Sequence, residues 1–134
     1  MKIACPKESK DQEFRVALTP KSVKTLIDDG HEVWIETQAG AGISCSDEDY
    51  KSVGAKIAKN VGELFSSGEL IIKVKEPNHA ERMLLTPEHT LFTYLHLASD
   101  PDQTHELIDS DAVCIAYETV TDDNGTLPLL TPMS

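Results

Sequence analysis

The sequence predicts an α/β domain with an open, mainly parallel sheet flanked by helices. Three observations point there. Short apolar segments of strand character alternate with capped segments of helical period, once every 20 to 30 residues or so. Each helical segment carries its own start or stop residues. No linker, low-complexity tract or internal repeat divides the 134 residues, a length that one domain fills while burying roughly two-thirds of its unfolded surface.

Taken in order, Lys2-Ile3-Ala4-Cys5 is the first strand, and a polar loop runs from Pro6 to Leu18. Thr19-Pro20 supplies an N-cap and a proline at the first helical position. Val23, Leu26 and Ile27 then form an apolar stripe, and Gly30 ends the helix. His31–Glu36 alternates polar with apolar as a half-buried strand does. Ala39–Gly42 is a turn; Ser46-Asp47-Glu48-Asp49 caps a short helix that ends near Gly54. Asn60 with Glu63 forms a capping box ahead of Leu64 and Phe65. Leu70–Lys75 is the next strand, stopped by Pro77, and a short helix spans Asn78 to Leu85. Thr90–Leu95 is too short and too β-branched for a helix. After Asp100-Pro101 a helix runs to about Asp109, Ala112–Tyr117 is the last strand, and Asp122-Asp123-Asn124-Gly125 is a tight turn.

Composition removes several classes of function. Twelve basic against 23 acidic side chains give a formal charge of −11, which repels phosphate backbones and anionic lipid heads, so neither nucleic acid nor a membrane surface is an expected partner. Three cysteines, Cys5, Cys45 and Cys114, show no CxxC spacing; they make neither a disulfide framework nor a zinc site, and no metal is expected. With no apolar run at the N-terminus and no long apolar span, the expected compartment is the reducing cytoplasm. Cys5 and Cys114 sit in apolar runs and read as small core residues.

In open parallel sheets, ligands bind outside the carboxyl ends of the strands, where loops and helix N-termini converge. Arg15 lies in the loop after the first strand, Lys75 closes the strand from Leu70, His96 follows Leu95, and Glu118 follows Tyr117. Parallel strands bring these ends to one rim, an anion site with an acid/base group. Each residue also has a plainer reading. Arg15 follows Glu13 and reads equally as a solvated loop charge, although its planar fork suits a carboxylate. Alternation puts Lys73 and Lys75 on one face, one as surface charge and the other as ligand. His96, between two leucines, is either a hydrogen-bonded core imidazole or a proton-transfer group. His31, His79, His89 and His105 read as solvated, and Glu118 as a partner of Arg15 or Lys75 or as a ligand contact. Gly40-Ala41-Gly42 has Cys45 where a dinucleotide fingerprint requires glycine, and no strand-to-helix turn, so it is not one.

Several blocks, in order and at matching spacing, resemble the N-terminal part of alanine dehydrogenases. They are Lys2-Ile3-Ala4-Cys5-Pro6-Lys7-Glu8, Glu13–Pro20, Ser46–Tyr50, Val74-Lys75-Glu76-Pro77, Phe92–Ala98, Ala116-Tyr117-Glu118-Thr119 and Leu127–Ser134. Transhydrogenase N-terminal domains share the Arg15-Val16-Ala17 block but lack a histidine at the place of His96; saccharopine dehydrogenases differ around Phe92–Ala98. The resemblance implies a Rossmann-like substrate domain over residues 1–134, incomplete by itself, with the NAD-binding domain absent from it. It further implies reversible NAD-dependent deamination of L-alanine to pyruvate and ammonia by a homo-hexamer, the fragment alone being inactive. Arg15 would clamp the substrate carboxylate, Lys75 would bind the substrate and polarise its carbonyl oxygen, and His96 would be the general acid/base. Met133 would lie against the nicotinamide and Ser134 near the dinucleotide phosphates, with NAD held mostly by the missing domain. The competing expectation is a stand-alone domain that binds a small 2-oxo acid or amino acid without catalysis.

Overall fold

The computed structural model describes residues 1–126. Six strands, β1 (Lys2–Cys5), β2 (Glu32–Glu36), β3 (Lys56–Ala58), β4 (Leu70–Ile72), β5 (Thr90–Thr93) and β6 (Val113–Ala116), form one sheet in the order β3-β2-β1-β4-β5-β6. Every pairing is parallel, so every strand leaves its carboxyl end on the same edge. The strand order reverses between β1 and β4, the geometry of a doubly wound sheet with a switch point there.

The helices are α1 (Pro20–Asp28), α2 (Asp47–Ser52), α3 (Val61–Ser67), α4 (His79–Arg82) and α5 (Pro101–Ser110). Their caps are those the side chains dictate. Thr19 Oγ1 accepts from Ser22 N at 3.2 Å, Ser46 and Asp49 make a reciprocal capping box, and Asp100 accepts from Gln103 N. At Asn60 the expected box is altered: Asn60 Oδ1 accepts from Glu63 N, while Glu63 reaches back to Lys59 N instead of the cap. Gly30, at φ +94°, turns the chain after α1, a left-handed geometry that costs glycine nothing.

Both faces of the sheet are covered, as a parallel sheet requires. Ile3, Cys5, Val33 and Ile35 pack with Val23 of α1 and Tyr50 of α2. Ala4, Ile71 and Leu91 pack with Leu64 and Phe65 of α3 and Leu107 of α5. Cys5 is fully buried, and burial pushes its thiol up to about 12, so it is an inert core residue as expected. Cys114 is only half-buried because β6 is the edge strand. Among the described residues no helix is long and apolar enough to cross a membrane.

Three differences from the sequence reading have physical causes. β3 had no expected counterpart; with three residues it is too short to show a period, and it exists because Trp34, Ile35 and Glu36 pair with it. β4 ends at Ile72: Lys73 N still donates to Phe92 O at 3.1 Å, but the two amides after it, Val74 N and Lys75 N, donate to the Glu8 carboxylate at 3.0 Å each. The helix expected over Asn78–Leu85 is a single turn, with Asn78 as its cap.

Candidate functional site

The carboxyl edge of the sheet carries two adjoining clefts. One, about 440 Å³, is bordered by Lys75, Tyr94, His96, Gln103 and Lys10. The other, about 280 Å³, is bordered by Glu13, Arg15, Gln38, Gly42 and again Lys10. In a chain with 23 acidic and 12 basic side chains, four cations, Lys7, Lys10, Arg15 and Lys75, stand around these openings. Five carboxylates, Glu8, Asp11, Glu13, Glu76 and Asp100, border them as well, and Lys10 pairs with Glu76 at 3.2 Å, so the rim carries both signs in nearly equal number where the whole chain is strongly acidic.

Lys75 and His96 meet through Tyr94. The Lys75 ammonium sits 4.9 Å from the centre of the Tyr94 ring, a cation–π contact, and the Tyr94 hydroxyl is hydrogen-bonded to His96 Nδ1. Tyr94 was missed in the sequence. The Tyr94-Leu95-His96 alternation was the available signal, since residues i and i+2 of an extended segment share a face.

The backbone of His96 is left-handed, φ +52° and ψ +47°, a conformation uncommon for a residue other than glycine and one that its surroundings must hold. They do so from three sides. Glu118 accepts from His96 N at 2.6 Å and from Leu95 N at 3.2 Å. Gln103, fully buried on α5, donates to Leu95 O at 2.7 Å, and Ser99 Oγ donates to His96 O. Glu118 therefore binds neither Arg15 nor Lys75; its carboxylate holds the peptide that carries the imidazole.

Arg15 is paired within its own loop. Its Nε and Nη2 donate to Glu13 at 2.9 and 2.7 Å. That hydrogen bond holds Glu13 below the usual carboxylate range, against a smaller effect of burial, and raises the Arg15 guanidinium further. Lys75 adds to the depression of Glu13, so its charge reaches the same carboxylate. One edge of the Arg15 fork is thus committed, and among the described residues Nη1 has no partner. Arg15 borders the second cleft and Lys75 with His96 the first, so the single rim expected from the strand ends is two neighbouring openings.

Two further expectations are corrected. Lys73 is not a surface charge: it is 1% exposed and lies 3.4 Å from both Glu8 and Glu81. His89 is not solvated. Its Nδ1 accepts from Thr86 N at 3.0 Å, so Nε2 carries the proton and donates to Phe65 O at 2.7 Å.

Gly40 and Gly42 serve the loop packing. A Cβ at Gly40 would lie 2.7 Å from Cys45 O, and one at Gly42 only 2.3 Å from Phe14 O. The space against both glycines is filled by this chain's own backbone, so the described residues do not fit a nucleotide cradle. Met133 and Ser134 lie outside the described residues.

The fold and the edge define a doubly wound α/β domain with a lysine- and histidine-bearing cleft at the carboxyl ends of its strands. The family model of the "Alanine dehydrogenase/PNT, N-terminal domain" matches residues 4–134, and the chain belongs to that family. It is 51% identical to an alanine dehydrogenase of Halomonas elongata, 48% to one of Geobacillus stearothermophilus and 45% to one of Mycobacterium tuberculosis, each over all 134 residues. The chain spans 36% of the length of these relatives. A solved L-alanine dehydrogenase superposes with a TM-score of 0.95 at 50% identity, covering 99% of this chain and 37% of that one. A transhydrogenase from Sinorhizobium meliloti superposes at 0.82 with 24% identity, over 88% of this chain and 35% of that one, a likeness of fold.

Proposed function

We propose that residues 1–134 are the substrate-binding N-terminal part of an NAD-dependent L-alanine dehydrogenase, which converts L-alanine, NAD and water reversibly to pyruvate, ammonia and NADH. A homo-hexameric whole enzyme in the cytoplasm belongs to the same reading. The observation that carries it is the Lys75–Tyr94–His96 contact chain beside Arg15, in a domain 45–51% identical to enzymes of that name.

In this reading Arg15 takes the substrate carboxylate on the fork edge that Glu13 leaves available, and Lys75 holds the oxygen of the reacting carbonyl by charge and hydrogen bond. His96 moves the proton. It removes one from the water that adds to the imine carbon in deamination and returns one to the departing water in the reverse direction. The Tyr94 hydroxyl oxygen serves both roles by accepting from Nδ1–H, in the neutral ring whose free Nε2 is the base and in the imidazolium whose Nε2–H is the acid. NAD supplies the hydride acceptor and would be held chiefly by polypeptide other than residues 1–126; Met133 and Ser134 are proposed to touch it.

The test is alanine-dependent reduction of NAD by the whole product of the gene. Arg15→Ala and Lys75→Ala are each expected to lower kcat/KM by about 10²-fold or more, as loss of a clamp does. Near-normal turnover in both overturns the reading. Binding of pyruvate in calorimetry without any reduction of NAD would favour the non-catalytic binding domain.

A further inference from the structure

We propose that Glu8 is a positioning residue for Lys75, acting through the backbone of residues 73–75 and not on the substrate. This rests on the role given to Lys75 above. Glu8 lies in the loop after β1 and is 8% exposed. The ladder between β1 and β4 consists of Ile3 with Leu70 and Ala4 with Ile71, and beyond it the two chains part, as they must at a switch point. Glu8 fills that gap. Its Oε2 accepts from Val74 N and its Oε1 from Lys75 N, both at 3.0 Å. On the other side of the same residue, the Thr93 hydroxyl donates to Lys75 O at 2.8 Å. Both polar backbone groups of Lys75 are therefore held by side chains, one from the β1 loop and one from β5.

The side-chain directions follow from that grip. Lys73 turns into the interior, where it faces Glu8 and Glu81 at 3.4 Å each. Lys75 projects into the cleft, with its ammonium over Tyr94. The arrangement requires a carboxylate. Its two oxygens both accept, whereas an amide in the same place would turn an NH2 group toward one of the two N–H donors. A displacement of about 1 Å in a substrate-holding group is enough to change rates by orders of magnitude.

Glu81 provides the control, because it makes the same 3.4 Å pairing with Lys73 but does not touch Val74 or Lys75. In the whole enzyme, Glu8→Gln is expected to raise KM for pyruvate about tenfold or more with a smaller change in kcat. Glu81→Gln is expected to lower thermal stability comparably while leaving KM within about twofold, since the backbone grip on Lys75 persists. Glu8→Asp, which keeps the charge but is one methylene short of both amides, is expected to give an intermediate KM and serves if the glutamine variant does not fold. An unchanged KM in both Glu8 variants, or an equal rise in Glu81→Gln, overturns the proposal. Lys75→Ala separates the two levels: if it retains activity, the reading of Lys75 fails; if it loses activity while the Glu8 variants behave as wild type, only the positioning role fails.

Discussion

Strand β5 has a histidine at each end, and the two differ in nearly every physical respect. His89 precedes the strand at the amino edge of the sheet, is 6% exposed, packs edge-on against Phe65 and has both ring nitrogens engaged by backbone groups. His96 follows the strand at the carboxyl edge, is exposed, stands on a left-handed backbone and, among the described residues, has only Nδ1 engaged, by a tyrosine hydroxyl. A ring whose donor and acceptor are both spent on the backbone of its own fold has nothing left for a substrate. One whose backbone is over-determined by Glu118, Gln103 and Ser99 while the residue borders an opening has been arranged at some cost in strain. The difference restates, on one strand, why parallel sheets keep stability at one edge and chemistry at the other.

The largest effects should separate the two histidines outright. His96→Ala is expected to lower turnover by about 10²- to 10⁴-fold, the range of a lost general acid/base, with little change in melting temperature. His89→Ala should do the reverse. It leaves Thr86 N and Phe65 O without partners and opens a gap beside Phe65, a loss of about 1–3 kcal/mol, while the folded fraction retains its kcat. Paired thermal melts and steady-state kinetics check both, and a His89 variant with normal stability and impaired catalysis would erase the contrast.

Tyr94→Phe sharpens it at the next level. The substitution keeps the ring beneath the Lys75 ammonium but removes the oxygen from His96 Nδ1. A loss of about tenfold in kcat is expected, the equivalent of one hydrogen bond of about 1.4 kcal/mol, together with a shifted pH profile for the His96-dependent limb. Binding of the anion through Lys75 should change little.

Much of this was legible in the sequence because local chemistry decides it. Caps at Thr19, Ser46, Asn60 and Asp100 act over three residues, and parallel topology follows from alternation of elements, so the carboxyl-edge placing of Lys75 and His96 came with the fold class. What was illegible depends on partners distant in sequence. Lys73 is buried because Glu8, far away in the β1 loop, faces it, and no pattern around residue 73 says so. His89 is locked by Phe65, 24 residues earlier. Glu118 binds the Leu95 and His96 amides and not a cation because a left-handed turn points those N–H groups at it. The division of the rim into two clefts likewise depends on the path of the loop around Phe14 and Gly42, where backbone contact leaves no room for a side chain.

The smallest expected effect concerns Glu13 and compares the carboxyl edge with itself at two values of pH. The Arg15 hydrogen bond holds Glu13 below the ordinary carboxylate range in the folded protein. A depressed pKa means that the folded state favours the ionised form, so its stabilising contribution is complete above the unfolded value and fades as pH falls through the folded one. The Arg15 side chain is 48% exposed, so solvent screening keeps this contribution below about 1 kcal/mol. Glu13→Gln should therefore lower the midpoint of urea unfolding slightly at about pH 7, by an amount that shrinks as pH falls below the ordinary carboxylate range. The same substitution returns a fork edge to Arg15. A KM for pyruvate that falls as stability falls would mean that Glu13 competes with the substrate for the guanidinium, and a KM that rises would mean that it aims the remaining edge at the cleft.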